Sequence, residues 1–190
     1  MRTDDANLIQ RFVATFERLD DLIAFHDAPP PNELSAGIDP DDWNVIRWRP
    51  APLATPDEAL SVLHDRVLGR LPRLYERLIL AYRWLEVDLR LCRLLANPPA
   101  AGLQPLVDRM FADPVLNNTL IHSGFIRFAL APDACYDPIC FDLNRSVKGD
   151  CPVVRFNHES ILMHGSLGDV EQIFRSFRDL MLAVLAIDDA

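Results

Sequence analysis

A mixed α+β fold is predicted by a change of hydrophobic period along the chain. Up to about residue 120 the apolar side chains recur mainly at helical spacing. Between Phe125 and Phe156 they alternate or cluster in short runs of β-formers, as strands do. From about Asp169 the helical spacing returns in one clear stripe, Ile173, Phe174, Phe177, Leu180, Met181, Val184 and Leu185. A helical N-terminal half packed on an antiparallel sheet, closed by an amphipathic C-terminal helix, accounts for all three.

The elements follow in order. Leu8, Ile9, Phe12, Val13, Phe16, Leu19 and Ile23 predict a helix over residues 5–26, stopped by Pro29-Pro30-Pro31. Residues 29–56 are rich in Pro and Asp and read as a surface loop, with Trp43–Trp48 as a short extended piece. Thr55-Pro56-Asp57-Glu58 has the form of a capping box and predicts a helix to about Leu68. Beyond the break at Gly69–Pro72, two apolar stripes predict a long helix over 73–96, ended by Pro98-Pro99. A further helix is expected over 103–112 and a helical turn from Asp113 through Leu120. Strands are expected at Phe125–Leu130, Ile139–Leu143, Val153–Asn157 and Ser160–His164. The final helix is expected over 169–186, capped by Ser166 or Asp169.

The 190 residues suffice for one hydrophobic core and are short for two. Residues 1–52 are expected to be an N-terminal helical extension and Pro-rich loop, and residues 53–190 the main α+β domain, in one cooperative unit. No run approaches the roughly 18 apolar residues of a membrane span, and the acidic start lacks the apolar core of a signal peptide. A cytoplasmic protein is therefore expected, with free thiols rather than disulfides. The net charge of −9 disfavours nucleic acid as a partner. Charge is uneven: residues 1–65 carry −8, 66–100 carry +4, and 131–170 carry −3. Lys148 is the only lysine; every other base is Arg, a bias read as one of codon usage.

Three stretches resemble the SUKH superfamily, which groups bacterial toxin-immunity proteins with fungal regulators of cell-wall synthesis. Leu71-Pro72-Arg73-Leu74-Tyr75 enters a helix, preceded by Pro56-Asp57-Glu58-Ala59. Asp137–Asp142 leads through a turn to Cys151-Pro152-Val153-Val154, with His158-Glu159 beyond. Ser176-Phe177-Arg178-Asp179-Leu180 opens the last helix. The resemblance covers about residues 53–185. It implies a helical layer on a strongly bent antiparallel sheet, and binding rather than catalysis, with no catalytic residue and no cofactor to carry over.

The residues offer several chemistries to weigh. Cys135, Cys140, Cys151 and His158 have zinc-ligand types, but their spacing fits no regular knuckle, and buried free cysteines are the commoner arrangement. Cys140 or Cys151 with His158 and Asp142 has the residue types of a thiol nucleophile set, without a strand-turn-helix elbow to present the thiol. His164-Gly165-Ser166-Leu167-Gly168 is neither a nucleophile elbow nor a phosphate loop. Arg66, Arg70, Arg73 and Arg77 read as a solvated face pairing with Glu76 or with the acidic N-terminal third, and Glu86 with Arg90 as an i,i+4 pair. Asp133, Asp137, Asp142, Asp150 and Glu159 cluster at the hairpin, as an acidic patch for a basic toxin domain or as simple surface solvation. The expected function is therefore protein binding, as immunity by occlusion of a toxin, with Trp84, Tyr136 and the hairpin acids as contact residues. A regulatory or scaffolding module is the alternative, and a small metal- or thiol-dependent enzyme a third.

Overall fold

The computed structural model describes residues 3–25, 27–67, 69–132 and 136–188. The chain opens with α1 (Thr3–Ala14), which buries Leu8, Ile9, Phe12 and Val13. The helix expected over 5–26 is interrupted at Thr15, whose hydroxyl donates to the Phe12 carbonyl at 2.7 Å and competes with the helical ladder. A single turn, α2 (Phe16–Leu19), follows. Then β1 (Ile23–Phe25), β2 (Ser35–Ile38) and β3 (Val45–Trp48) form a small antiparallel sheet in the order β1-β3-β2. β3 is the extended piece expected around Trp43–Trp48. The other two strands were not expected, and they replace the tail of the first helix and part of the loop.

After β4 (Ala51–Pro52), a 3-10 turn at Asp57–Leu60 leads into α3 (Ser61–His64) and then α4 (Arg73–Ala81). The expected capping box does not form. Pro56 occupies the cap position without a side-chain bond, and the Thr55 hydroxyl instead accepts from Arg83. The helix ends expected at His26 and Leu68 lie outside the described residues.

The long helix expected over 73–96 ends at Ala81. Two buried side chains take its last carbonyls. Arg83 Nη1 donates to the Ile79 and Tyr82 carbonyls at 2.5 and 3.0 Å, and Asn97 Nδ2 to the same pair at 2.9 and 2.8 Å. Trp84 and Asn97 then exchange backbone bonds, so the chain runs extended where its apolar pattern read as helical. β5 (Tyr82–Arg83) pairs with β4, and β6 (Val87–Asp88) turns through Arg90 into β7 (Arg93–Leu94). Arg90, at φ +65°, sits in that turn, so Glu86 pairs with Arg93 at 3.3 Å rather than with Arg90.

α5 (Gln104–Met110) and α6 (Pro114–His122) lie close to their expected positions. Asp113 caps α6, accepting from Val115 N and Leu116 N. Arg127 does for α5 what Arg83 does for α4, donating from Nη2 to the Arg109 and Met110 carbonyls. Part of the Arg bias thus has a structural use: one guanidinium nitrogen reaches two terminal carbonyls at once.

The sheet continues with β8 (Phe125–Leu130), β9 (Pro138–Asp142), β10 (Val153–Arg155) and β11 (Glu171–Phe174). It has six strands, antiparallel throughout, in the order β11-β10-β9-β8-β7-β6. Register shifts at Arg127/Ala129 and Val153/Val154 bend it. Between β10 and β11, residues expected as a strand form α7 (His158–His164). Asn157 starts this helix by accepting from Ser160 N, and Gly165 ends it at φ +62°. The last helix, α8 (Phe177–Asp188), starts eight residues later than expected. Its cap is the Ser176 hydroxyl, which accepts from Asp179 N, and not Ser166 or Asp169.

Both faces of the sheet are covered. Ile126, Phe128, Ile139, Phe141 and Val153 point into the main core with α1, α4 and α8; Phe125, Cys140 and Val154 point into a second core with α6 and α7. That two-sided burial is why every residue of β9 is buried. The main core centres on four rings, Tyr75, Phe128, Phe141 and Phe177. Phe128 and Phe141 stack at 3.9 Å, and Tyr75 and Phe177 meet them edge-on at 5.0–5.7 Å. One apolar cluster extends from Leu8 in α1 to Leu185 in α8.

Candidate binding surface around the hairpin

The acids expected to face a partner are mostly turned to internal work. Asp137, just before β9, is buried and ties two neighbours together, Arg155 and His158. It accepts from Arg155 Nη2 at 2.6 Å and Nε at 3.0 Å, from His158 Nδ1 at 2.8 Å, and from the His158 backbone N–H at 3.0 Å. It therefore fixes the entry to α7. Asp142, also buried, pairs with Arg145 at 2.5 Å and caps the 3-10 turn Leu143–Arg145 through Asn144 N. Asp150 accepts from the backbone of Cys151, Phe177 and Arg178, so its charge stands at the N-terminus of α8. Glu159 alone of the described hairpin acids is exposed. Asp133 lies outside the described residues.

Trp84 is fully buried. Its indole N–H donates to the Leu95 carbonyl at 3.0 Å and its ring meets Phe16, so in this fold it presents nothing to a partner. Tyr136 is 67% exposed, with its ring 6.1 Å from that of His158. Val147 at the hairpin tip and Met163 on α7 are 65% and 76% exposed.

Among the described residues the thiols are sealed. Cys92, Cys140 and Cys151 are buried and free. Burial pushes the thiols of Cys92 and Cys151 up to about 12, with nearby carboxylates adding to the rise, and pushes that of Cys140 upward too. A nucleophilic thiolate needs the opposite shift. Among the described residues, no three His, Cys, Asp or Glu side chains converge to hold a metal ion; Cys135 lies outside them. The raised thiols have a consequence for stability. In the unfolded chain they ionise near pH 8.5, whereas in the fold they stay protonated. Their contribution is therefore intact below about pH 8.5 and is lost as pH rises toward 12, by about 1.4 kcal/mol per pH unit for each thiol. Urea midpoints at pH 8 and pH 10 should fall accordingly, and Cys92→Ala should flatten the decline; a flat profile in the parent chain would show that the thiols are not sealed.

A feature the sequence did not yield lies at the other side of the hairpin. Val147 and Asp150 exchange backbone bonds across Lys148 and Gly149, which have φ +55° and +81°. Positive φ at both central residues is the pattern of a I′ hairpin turn, which favours Asn or Gly over Lys. The Gly149 carbonyl accepts from Arg73 N at 2.9 Å, docking the turn on the start of α4. A Cβ on Gly149 would stand 2.7 Å from Arg73 Cδ, so any larger residue would have to displace the Arg73 side chain as well as adopt φ +81°. Between the turn, α4, α1 and α8 lies a cavity of about 580 Å³ lined by Arg73, Arg77, Lys148 and Arg178, with Asp5 and Asp150. The arginine spacing and the single Lys-Gly were visible in the sequence. Their convergence was not, because it depends on the turn docking on α4 and on α8 arriving from residues a hundred positions later.

Comparison with protein-family models finds no match, and comparison with curated proteins finds no relative. Among the described residues, no helix is long and apolar enough to cross a membrane.

Proposed function

We propose that this chain is a non-catalytic protein-binding module of the immunity type, acting in the cytoplasm and neutralising a toxin by covering it. The observation that carries this reading is the division of side chains around the hairpin. The groups with reactive chemistry are sealed, as Cys140 and Cys151 are, or bound into the fold, as Asp137 and Asp142 are. Of those left outward, Tyr136 and Met163 are of types enriched where one protein buries against another, with Val147 and Lys148 beside them on the surface. The resemblance to the SUKH superfamily adds support, since the three stretches behind it supply Tyr75, Phe141 and Phe177, three of the four rings at the centre of the core. Occlusion requires only a stable face and a complementary partner, with no step of chemistry.

The test is co-purification of the tagged chain with the product of the adjacent gene, followed by growth rescue from that product. A stable complex with rescue, both weakened by Tyr136→Ala, is the expected result. Neither complex nor rescue would overturn the immunity reading for that neighbour.

A further inference from the structure

The cavity at the hairpin tip has an unusual charge for this protein. The chain carries −9 overall, yet four cations line this one hollow. Asp5 serves two of them, accepting from Arg77 at 2.6 Å and from Arg178. Asp150 is held by the backbone at the start of α8. Arg73 and Lys148 have no carboxylate within ion-pair range among the described residues. Arg73 and Arg77 also line an adjoining cavity of about 350 Å³ that adds Arg70, while its Glu76 is taken by His64 at 2.8 Å and Asp57 stands at its wall.

The turn that supplies Lys148 is built at a cost. A non-glycine residue in the left-handed region is disfavoured, and Asn or Gly at this position would relieve that. The strain is retained at the position that places the chain's only lysine beside Arg73. Strain kept at a surface turn and cations left without partners point the same way.

We propose that this cavity receives acidic side chains of a protein partner, with Arg73 and Lys148 as the contact cations and Arg77 and Arg178 held ready behind them by Asp5. The proposal rests on the protein-binding reading and gives it a chemistry: at this site the partner presents clustered Asp or Glu. Charge complementarity selects the occupant. An incoming carboxylate meets two unpaired cations, whereas a basic segment would add to a like-charged wall.

The probe is fluorescein-labelled heptaglutamate, titrated against the full chain and against Lys148→Asn, Arg73→Gln and the double variant. Lys148→Asn suits the turn's backbone, so it should fold at least as stably as the parent, and Arg73→Gln keeps the backbone bond to Gly149. Saturable binding that the double variant weakens about fivefold to tenfold is expected. Lys148, the only lysine, should also be shielded from amine acylation by the peptide, as read by mass spectrometry of the peptide carrying it. No saturable binding, or binding indifferent to the double variant, overturns the proposal. So does pyrophosphate displacing the peptide with higher affinity, which would assign the cavity to a phosphate ligand instead. A chain that still captures its toxin while the double variant binds the toxin equally well would overturn this site and leave the protein-binding reading standing.

Discussion

Replacing Phe141 with alanine should cost about 3–5 kcal/mol of folding stability. Phe141 stacks on Phe128 at 3.9 Å and meets Tyr75 and Phe177 at 5.0 and 5.6 Å. The four rings come from α4, β8, β9 and α8, so truncation leaves a cavity that no one element can collapse into. Aromatic pairs contribute about 0.5–1.5 kcal/mol beyond the area they bury, and Phe141 makes three. Against a usual total of about 5–15 kcal/mol, the variant should be partly unfolded at 37 °C. Its urea midpoint should drop sharply with little change in slope, and Phe141→Leu should recover most of the loss. A loss below about 1 kcal/mol for Phe141→Ala would show that the rings are not the hub of the core.

These rings were legible in the sequence one element at a time. A run of β-formers placed β8, and period-2 alternation placed β9 and β10, near their observed positions, because both are local properties of a few residues. The same logic misled at 82–96. Two apolar stripes there suit a buried helix and a buried strand pair alike, and what decides is Arg83 and Asn97 reaching back to the Ile79 carbonyl. Ser160–His164 failed similarly: five residues carry too little period to tell strand from helix, and Asn157 as a cap decides. At the candidate site the acids were found by composition, but a carboxylate in a polar hairpin reads the same whether it faces solvent or turns inward to pair with a guanidinium. Lys148 and the arginines of α4 were on view with nothing local to join them.

Asp137 offers the sharpest separation between a binding role and a structural one. Asp137→Ala should destabilise the fold by about 2–3 kcal/mol, less than the 3–5 typical of breaking a fully buried pair because Arg155 and His158 keep some access to water. The loss has three sources: the ion pair with Arg155, the bond to His158 Nδ1, and the backbone bond that starts α7. Hydrogen exchange should show α7 opening first, since its entry is fixed by this carboxylate and Ile161 is its one buried residue. Asp137→Asn should keep the bond to the His158 backbone and lose the charge, with a smaller cost. In a double-mutant cycle with Arg155→Met the two losses should fall short of additive by about 1 kcal/mol or more. Partner capture by the folded fraction of Asp137→Ala should match the parent, because Asp137 faces inward. Capture abolished at full stability would show the opposite, that this carboxylate belongs to the contact surface and that the hairpin acids act outward.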